Sequence, residues 1–584
     1  MPARLAPVVF AVSVLLGAAA CGPDEGQQLP SQSSASGGRK GAAREKASAT
    51  AAATASAGPV APTAPSKRPN ILFVLADDQR ADTLPCMPKL AKLLGARGST
   101  FKNNFATTPL CCPGRSSVLT GKYAHNHKVL SNGDIEDEDG DKSPGAIDFR
   151  DNGNESKTVA GWLQAAGYRT AYFGKYLNAY DKLLETVPNH VPPHWDEWHA
   201  FSHAEFFDFD LVERGLDEAK AKRRCYLSGE KGEDRGEKKR VKKCKQDADE
   251  VVRDGKENYS TDVLRDQTIA FIRKAHAEGK PWFVHLAPKS PHGPFLSPAR
   301  YQPDPDVAKF TKEAEDRLAS CALFDWKDRP ASYLEQDMSD KPQWIQESQK
   351  SKRADPERLE RIRRMQLVSV LATEDAIEAI MGVLKELGVE DDTIVVYTGD
   401  NGFAWGEHWH THKNCAYDEC AKVPMVVLDP RAKTGAQNVE VFTLNIDLAP
   451  TFAAWAGATA PADINGRSFA GLVDGTFQGP WPRRHVLTEC WGPGTEGRPD
   501  THAAVRTSKW KYVEHYQDPQ RTTVRSHKAG GQDVELYDLD ADPHELDNLL
   551  RLDADGLKRT GKTQADVDAQ VKELKVELER LKKE

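Results

Sequence analysis

The segment from residue 107 to 129 holds a high density of reactive side chains: TTPLCCPGRSSVLTGKYAHNHKV. Pro113 suits the first turn of a helix, which would place Cys111 at the positive end of that helix. Backbone N–H groups at such an end favour an anion, and Arg115 adds a permanent cation. The pattern therefore predicts a nucleophile held where an anionic group binds. The alternative is that Cys111 and Cys112 belong to a structural disulfide network.

Two apolar segments end directly in oxygen-bearing side chains. The run ILFVLA is followed by Asp77 and Asp78, and the run TIVVYTG is followed by Asp400 and Asn401. Such runs are typical of parallel strands buried on both faces, whose C-terminal ends share the sheet edge where ligands bind. Three carboxylates and an amide suit Ca²⁺ better than Mg²⁺, whereas zinc prefers His and Cys. Taken alone, each pair would be a helix cap or a turn.

Helical patterns alternate with these strands. A third strand with a following loop is predicted within residues 281–295, and amphipathic periodicity predicts helices over 87–98, 156–168 and 364–388. The alternation predicts an α/β fold with a large, doubly wound, mostly parallel sheet flanked by helices. Short alternating segments from about residue 483 predict a smaller C-terminal antiparallel sheet.

The first residues predict export. Arg4 precedes an apolar run, after which small residues lead to Cys21. This pattern is similar to the lipobox of bacterial lipoproteins, which would leave Cys21 lipidated; an ordinary signal peptide cut near Ala20 is the alternative. Residues 1–21 are therefore predicted to be a signal segment. Residues 22–66 lack large apolar side chains and are predicted to be a disordered tether.

The rest of the chain is predicted to divide near residue 482. Residues 67–482 would form the main domain, and residues 483–584 a subdomain that ends in an amphipathic helix. A charged insertion at about 215–256 mixes both signs, so we expect a solvated segment without a functional role. The terminal helix is expected to pack on its own protein, because its apolar pattern spans only about two heptads. The apolar positions are Val567, Val571, Leu574, Leu578 and Leu581.

Composition limits the classes of partner. The chain has 584 residues, 39% of them hydrophobic, and a formal net charge of −8. It can bury a large core, and this charge gives no general attraction to nucleic acid or to an anionic membrane. An anionic substrate therefore needs a local positive pocket. Cys225 with Cys244, and Cys415 with Cys420, are candidate local disulfides in an exported protein.

The residues from Cys111 to Gly121 are similar to the sulfatase signature C-x-P-x-R-x-x-x-L-T-G. The resemblance implies an alkaline-phosphatase-like fold and oxidation of Cys111 to formylglycine (3-oxoalanine) by a formylglycine-generating enzyme. An aldehyde hydrates to a diol, so one hydroxyl can attack sulfur and the other can later expel sulfate. A serine would lack the second step. The family usually has Ser at the place of Gly114.

The same resemblance assigns a metal site. One calcium ion would be held by an oxygen of residue 111 together with the four residues that end the two apolar strands. The implied ligands of this ion are Asp77, Asp78, Cys111, Asp400 and Asn401.

Further segments resemble sulfatase motifs. Lys175 in GYRTAYFGKYLNAY and Lys413 in DNGFAWGEHWHTHK match lysines that contact sulfate, and Arg115 would clamp it with them. His292 in KSPHGPF is implied as a sulfate ligand, and His292 or Lys413 would protonate the departing alcohol. The family's usual His falls on Leu177 here, so the contact of that His with formylglycine is missing or supplied by another residue.

Two more histidines are candidate substrate contacts. His408 lies in the G-E-H sequence found in many bacterial sulfatases, and His127 lies in the segment that follows the signature. For both residues, a structural role is the competing interpretation.

The N-acetylglucosamine-6-sulfatase branch is the part of the family that the chain resembles most, through GKYLNAY, NHVPPHWDEW and KVPMVV. The resemblance implies removal of 6-O-sulfate from glucosamine residues of glycosaminoglycans. The export pattern at the N-terminus predicts that the protein is secreted or anchored at the bacterial surface. The charged insertion has no counterpart in these motifs. Alternatives are an arylsulfatase, a phosphonate or phosphodiester hydrolase of the same superfamily, and an inactive cell-surface protein that binds glycans.

Overall fold

Continuous apolar segments form the centre of the fold in the computed structural model. The structure describes residues 68–133, 145–229, 238–304, 308–349, 354–493, 500–516 and 533–584. The predicted signal segment 1–21 with Cys21, and the predicted tether 22–66, lie outside the described residues.

Eleven strands form one mixed, mostly parallel sheet in the order β13-β2-β12-β9-β1-β8-β3-β4-β5-β6-β7. A separate four-stranded antiparallel sheet has the order β14-β15-β16-β17. The predicted fold class is therefore confirmed. The strands are β1 (Asn70–Ala76), β2 (Ser99–Phe105), β3 (Arg169–Gly174), β4 (Glu197–Phe201), β5 (Phe209–Arg214), β6 (Lys222–Tyr226), β7 (Glu250–Val252), β8 (Trp282–Ala287), β9 (Thr393–Gly399), β10 (Ala404–Trp405), β11 (Thr411–His412), β12 (Met425–Leu428), β13 (Gln437–Leu444), β14 (Val486–Pro493), β15 (Asp500–Arg506), β16 (Trp510–Tyr516) and β17 (Asp533–Asp538).

Helices connect these strands, and the three predicted ones are present with shifted ends. The α-helices are Pro88–Leu90, Cys111–Thr120, Ala124–His127, Gly145–Asp151, Val159–Ala165, Tyr180–Thr186, Lys238–Asp247, Ser260–Ala277, Lys312–Leu318, Ala322–Asp325, Gln343–Ser348, Pro356–Glu386, Asp418–Ala421, Leu448–Ala456, Ala470–Asp474, Ala554–Arg559 and Gln564–Leu581. The 3₁₀-helices are Ala81–Cys86, Glu155–Lys157, Glu390–Asp392 and Asn445–Asp447, and Ala91–Gly95 is a π-helical turn. None of the described helices combines the length and apolar character that crossing a bilayer requires.

The position of β1 in the middle of the sheet explains why its sequence is continuously apolar instead of alternating. Ile71 and Phe73 belong to the core on one face of the sheet, whereas Leu72 and Val74 belong to the core on the other face. All four side chains are fully buried. Burial of each such side chain stabilises the fold by about 1.5–3 kcal/mol, so both faces depend on this strand. The parallel neighbours of β1 are β8 and β9.

The C-terminal helix Gln564–Leu581 packs on the four-stranded sheet, as predicted. Val567, Leu574 and Leu578 are buried in a core that also contains Val505 and Leu536 of that sheet. The sheet belongs to the same compact unit as the large sheet. The domain boundary at residue 483 stays a prediction.

Three disulfides are formed among the described residues. The predicted pairs Cys225–Cys244 and Cys415–Cys420 are both present. A third bond, Cys86–Cys321, joins positions 235 residues apart and could not be deduced from spacing. Cys111 and Cys112 are not joined to each other, and both are free and buried.

Candidate active site

The C-terminal ends of β1 and β9 bring four predicted ligands together. The two strands are parallel and in register, with Ala76 opposite Gly399, so the residues that follow them emerge side by side. The backbone N–H of Asp78 donates to Asp400 Oδ1 at 3.0 Å, and Asn401 Nδ2 donates to Asp78 Oδ1 at 2.8 Å. These side chains and that of Asp77 are almost completely buried.

Cys111 is the first residue of the helix Cys111–Thr120, as predicted, and its thiol faces the carboxylates. Its Sγ lies 3.4 Å from Asp77 Oδ1 and 3.7 Å from Asp78 Oδ1. Burial raises the pKa of the Cys111 thiol far above its ordinary value, against the opposing effect of Lys175 and Lys413. An unmodified Cys111 is therefore a neutral thiol at pH 7 and a poor nucleophile.

Arg115 is held rigidly beside these groups. Its Nε donates to Asp400 Oδ2 at 2.8 Å, and its Nη1 donates to the backbone oxygen of Lys175 at 2.6 Å. Its Nη2 is buried, has no hydrogen-bond partner within the part of the chain that the structure describes, and lies 3.8 Å from Asp77 Oδ1. A buried guanidinium N–H without an acceptor is costly, so this atom is ready to bind an oxygen of an anion.

Two lysines and a histidine complete the cluster. Lys175 Nζ donates to Asp77 Oδ2 at 2.6 Å, and Lys413 Nζ contacts both Asp78 Oδ1 and Cys111 Sγ. His292 Nε2 lies 3.5 Å from Asp78 Oδ2. The other ring nitrogen of His292 is 2.7 Å from the carbonyl oxygen of Gly293; because that oxygen can only accept, Nδ1 carries the proton. The structure thus brings all five predicted catalytic side chains to one place.

The charges of the cluster control its protonation. Burial alone would raise the pKa of Asp77, but the positive charges of Lys175 and Arg115 outweigh it and hold that pKa well below its usual range. Asp78 behaves similarly, with Lys413 as the main opposing charge. Burial and the neighbouring Asp77 raise the pKa of Asp400 to about 6. The site therefore carries at least two carboxylate charges at neutral pH, balanced by fixed cations.

The donor set fits a hard divalent cation. Among the described residues, Asp77, Asp78, Cys111 and His292 offer ligand atoms that all lie within 4.8 Å of one another. Asn401 Oδ1 is buried beside them, and no described residue donates a hydrogen bond to it. An orphaned amide oxygen next to buried carboxylates is what an oxygen-preferring cation such as Ca²⁺ would satisfy. Asp400 already accepts one hydrogen bond at each of its two oxygens, from Asp78 and from Arg115, and each oxygen keeps a second lone pair for a cation.

A cavity of about 350 Å³ opens onto one side of this cluster. Asp77, Lys175 and His292 lie in its wall, and Leu177 and Lys289 also line it. The sequence did not single out Lys289, although it stands only three positions before His292. An anion that enters from solvent would first meet this side of the cluster.

Comparison with known proteins decides the family. The family model described as "Sulfatase" matches residues 69–458, and the model described as "N-sulphoglucosamine sulphohydrolase, C-terminal" matches residues 406–577. The chain belongs to the sulfatase family.

Relatives of this sulfatase-family chain come from animals and bacteria. A Caenorhabditis elegans protein named as an extracellular sulfatase Sulf-1 homolog is 29% identical over 412 residues, or 69% of this chain and 49% of the relative. The chain thus spans about half the length of that relative. The N-acetylglucosamine-6-O-sulfatase of Bacteroides thetaiotaomicron is 24% identical over 540 residues and 83% of each chain.

A solved structure shares the fold of this sulfatase-family chain. It is a protein in complex with its substrate D-glucosamine-2-N,6-O-disulfate. The TM-score is 0.59 with 23% identity, and the match covers 88% of this chain and 98% of the solved one. At this identity the likeness shows the fold.

The two predicted substrate histidines of this sulfatase-family chain lie in its interior. His127 Nε2 is 3.1 Å from Ser117 Oγ, and its Nδ1 accepts from the backbone N–H of Val129 at 3.1 Å. His408 Nδ1 lies 2.7 Å from Glu335 Oε2, and its ring stacks on Tyr417. Both histidines are 1% exposed, and burial lowers the pKa of each to about 3. Their described contacts are structural, and a substrate-binding role stays a prediction.

The two positions that depart from the sulfatase motifs are Gly114 and Leu177. A Cβ atom on Gly114 would lie 2.9 Å from the backbone oxygen of Asp400 and 3.3 Å from that of Thr108. Glycine therefore permits the close approach of the helix to the strand end. Leu177 is 4% exposed and lies in the cavity wall, where it offers no polar contact.

Proposed function

We propose that this chain hydrolyses sulfate esters with a formylglycine made from Cys111 and one bound Ca²⁺. The 6-O-sulfate of N-acetylglucosamine in a glycosaminoglycan-type glycan is the proposed substrate group. One observation carries the proposal: Cys111 lies between paired carboxylates and paired lysines, at the start of a helix. Carboxylates that can bind a cation and lysines that can bind an anion therefore lie around the same side chain.

The two unpartnered buried atoms support the same assignment. Among the residues that the structure describes, Asn401 Oδ1 lacks a donor and Arg115 Nη2 lacks an acceptor. Both atoms belong to the cluster around Asp77 and Asp78. A cation would satisfy the first atom and a sulfate oxygen the second. Asp77, Asp78, Asp400 and Asn401, together with residue 111, are the proposed metal ligands.

The proposed roles follow from charge and position. Arg115 and Lys175 hold the sulfate oxygens and stabilise the charge that develops on them in the transition state. His292 orients the sulfate from the open side of the cluster. Lys413, whose ammonium group remains protonated because the neighbouring carboxylates outweigh the effect of burial, delivers a proton to the departing alcohol. When bound, Ca²⁺ supplies Lewis-acid polarisation of sulfate, and formylglycine supplies a hydrated aldehyde as nucleophile.

The substrate assignment rests on relatives of the chain. One relative is named N-acetylglucosamine-6-O-sulfatase, and a protein of the same fold was solved with D-glucosamine-2-N,6-O-disulfate as its substrate. Export is proposed from the signal pattern and from relatives named extracellular sulfatases, with Cys21 as the site of a lipid anchor.

The deciding experiment combines mass spectrometry with turnover. Protein from its own host is digested, and the peptide that contains residue 111 is expected to carry an aldehyde in place of the thiol. The same protein is expected to release sulfate from 6-sulfated N-acetylglucosamine and to leave a phosphate diester of the same alcohol nearly intact. A thiol or disulfide at residue 111 would refute the nucleophile, and faster release from the phosphate diester would favour the phosphodiesterase alternative.

Calcium is tested separately. Removal of divalent cations with EGTA is expected to lower the unfolding temperature and to abolish turnover, and Ca²⁺ is expected to restore both better than Mg²⁺ at equal concentration. Asn401→Ala is expected to weaken the calcium dependence of the unfolding temperature. An unfolding temperature that does not respond to EGTA or Ca²⁺ would refute the metal assignment.

A further inference from the structure

A second cavity, of about 470 Å³, adjoins the candidate active site. Asp181, Ser202 and His203 line both this cavity and the smaller one that opens onto Asp77 and Lys175. The two spaces therefore share a wall, and the exposed imidazole of His203 stands at their junction. Volumes of about 300–1,000 Å³ are typical of small-molecule sites, so each space can hold about one sugar residue.

The charged insertion forms part of the wall of the second cavity. Arg223 on β6, and Lys243 and Cys244 on the helix Lys238–Asp247, lie in its wall. The disulfide Cys225–Cys244 fixes this helix to β6, and Lys243 Nζ reaches to 3.5 Å from Glu185 Oε1 on the helix Tyr180–Thr186. The sequence predicted no function for this insertion, yet it forms a wall beside the active site.

The opposite wall comes from the turn between β4 and β5. Ser202 donates to Asp210 Oδ2 at 2.6 Å and accepts from Arg223 Nη2 at 2.9 Å. Lys289 Nζ donates to the Ala204 backbone oxygen at 2.6 Å and to Glu205 Oε2 at 2.9 Å. The turn is thus tied on one side to the insertion and on the other to the loop that carries His292. Such a wall is rigid enough to discriminate between ligands.

The charge of the second cavity differs from that of the sulfate end. Its described lining contains four carboxylates and two permanent cations, Arg223 and Lys243. Arg223 pairs with Asp210, and Lys289 pairs with Glu205 from outside this lining, so the balance of charge stays negative. Carboxylates are good acceptors for sugar hydroxyl groups, whereas they repel sulfate and uronate groups. The carboxylates are those of Asp181, Glu205, Asp208 and Asp210.

We propose that the second cavity binds the sugar residue next to the sulfated one and selects a residue that carries no sulfate or carboxylate. This inference rests on the proposed function and narrows its substrate to oligosaccharides with a neutral neighbour. The first cavity then binds the anionic sulfate group, and the second cavity binds the neutral sugar residue next to it. The insertion supplies one part of the wall of the second cavity, and the carboxylates outside the insertion supply its charge.

The test compares three substrates with the whole, mature enzyme: 6-sulfated N-acetylglucosamine alone, joined to galactose, and joined to glucuronate. We expect kcat/KM to be at least about tenfold higher for the galactose disaccharide than for the monosaccharide. The glucuronate disaccharide is expected to fall at least about tenfold below the galactose one. Sulfate release is measured by ion chromatography.

A matched pair of variants locates the effect. Lys243→Trp places a bulky side chain at the wall of the second cavity and is expected to reduce the ratio of disaccharide to monosaccharide kcat/KM to nearly one. Lys242→Trp makes the same change at an exposed neighbour on the same helix that does not line the cavity, and is expected to keep the ratio. Thermal unfolding of both variants verifies folding.

The outcomes separate the two proposals. An enzyme that hydrolyses all three substrates with equal kcat/KM, or that prefers glucuronate, would overturn the inference and leave the proposed function intact. If Lys243→Trp and Lys242→Trp lower the ratio of disaccharide to monosaccharide kcat/KM equally, the neighbouring sugar does not bind in the second cavity. Failure to hydrolyse any sulfate ester despite an aldehyde at residue 111 would overturn the proposed function, and the inference with it.

Discussion

Lys413 Nζ lies 2.6 Å from Cys111 Sγ, although 302 residues separate them in the chain. The same ammonium group contacts Asp78, so it joins the nucleophile position to the carboxylates. Lys413 directly follows β11, and the Cys415–Cys420 disulfide closes the segment that comes after it. This arrangement gives one lysine a contact with both the proposed metal site and the proposed nucleophile.

Loss of that ammonium group should mainly reduce turnover. Lys413→Met is expected to lower kcat for a 6-sulfated sugar by about 10²–10³-fold, because one preorganised charge is removed from the transition state. Steady-state kinetics with sulfate detection measures this. Lys433→Met, at an exposed position, serves as the control and should retain full kcat. A kcat for Lys413→Met within about twofold of the parent would exclude this role.

Introduction of the family's usual serine at position 114 is expected to harm this protein. The Cβ of Gly114→Ser would press on the backbone oxygen of Asp400, which can move only with the end of β9. We expect a loss of about 1–3 kcal/mol in the free energy of unfolding, and lower activity. Gly382→Ala is the control, because its Cβ would meet no atom within 4 Å in a helix interior, and it should stabilise by about 0.5–1 kcal/mol. A Gly114→Ser variant that is more stable than the parent would show that the backbone at the end of β9 can move to accommodate the serine.

Stability should fall between about pH 6.5 and 9 because of His199. Burial would lower the pKa of this imidazole, but Glu197 at 3.0 Å and Glu213 at 3.6 Å outweigh it and raise the pKa to about 9. Since the folded pKa exceeds the unfolded value of about 6.5, the stabilisation is complete below that value and is lost as pH rises through 9.

The size of this effect can be measured by urea unfolding. The stabilisation lost between pH 6 and 9.5 is expected to be about 2–4 kcal/mol, and His199→Gln should flatten that part of the profile. The exposed His276→Gln should keep the parent slope. A parallel decline in all three proteins would assign the pH dependence to other groups.

His285 is a buried polar residue without a described partner for either ring nitrogen. It lies on β8 among aromatic rings, 4.7 Å from Phe73 and 4.5 Å from Tyr172 between ring centroids. His285→Leu should stabilise the protein by about 1–2 kcal/mol, since it removes unsatisfied groups at similar volume. Chemical denaturation tests this, with exposed His276→Leu expected to change stability by less than about 0.5 kcal/mol. Destabilisation would reveal a hidden partner for the imidazole.

Much of the fold could be predicted because the central strands are apolar on both faces. The runs before Asp77 and before Asp400 are typical of parallel strands buried on both faces, and both runs form such strands. Strand order could not be predicted, since pairing of β1 with both β8 and β9 depends on contacts across more than two hundred residues. The disulfide Cys86–Cys321 escaped prediction for the same reason.

The candidate site was predictable where short motifs fix geometry. Strand ends placed Asp77 and Asp400 at one edge, and the signature placed Cys111 at the start of a helix. Burial is a tertiary property, however, and motif position could not show that His127 and His408 face interior partners. Nor could mixed charge in the insertion show that its helix lines a cavity.

The complete burial of Cys111 also sets a time limit on its maturation. In the folded chain its side chain is inaccessible, covered by groups that include Lys413. At a synthesis rate of about 5–20 residues per second, the 302 residues from Cys111 to Lys413 take about 15–60 seconds to follow. A maturation enzyme can reach the thiol only during that interval, or for as long as the chain is kept unfolded during export. Folding that is too fast would yield a stable protein with an unmodified cysteine.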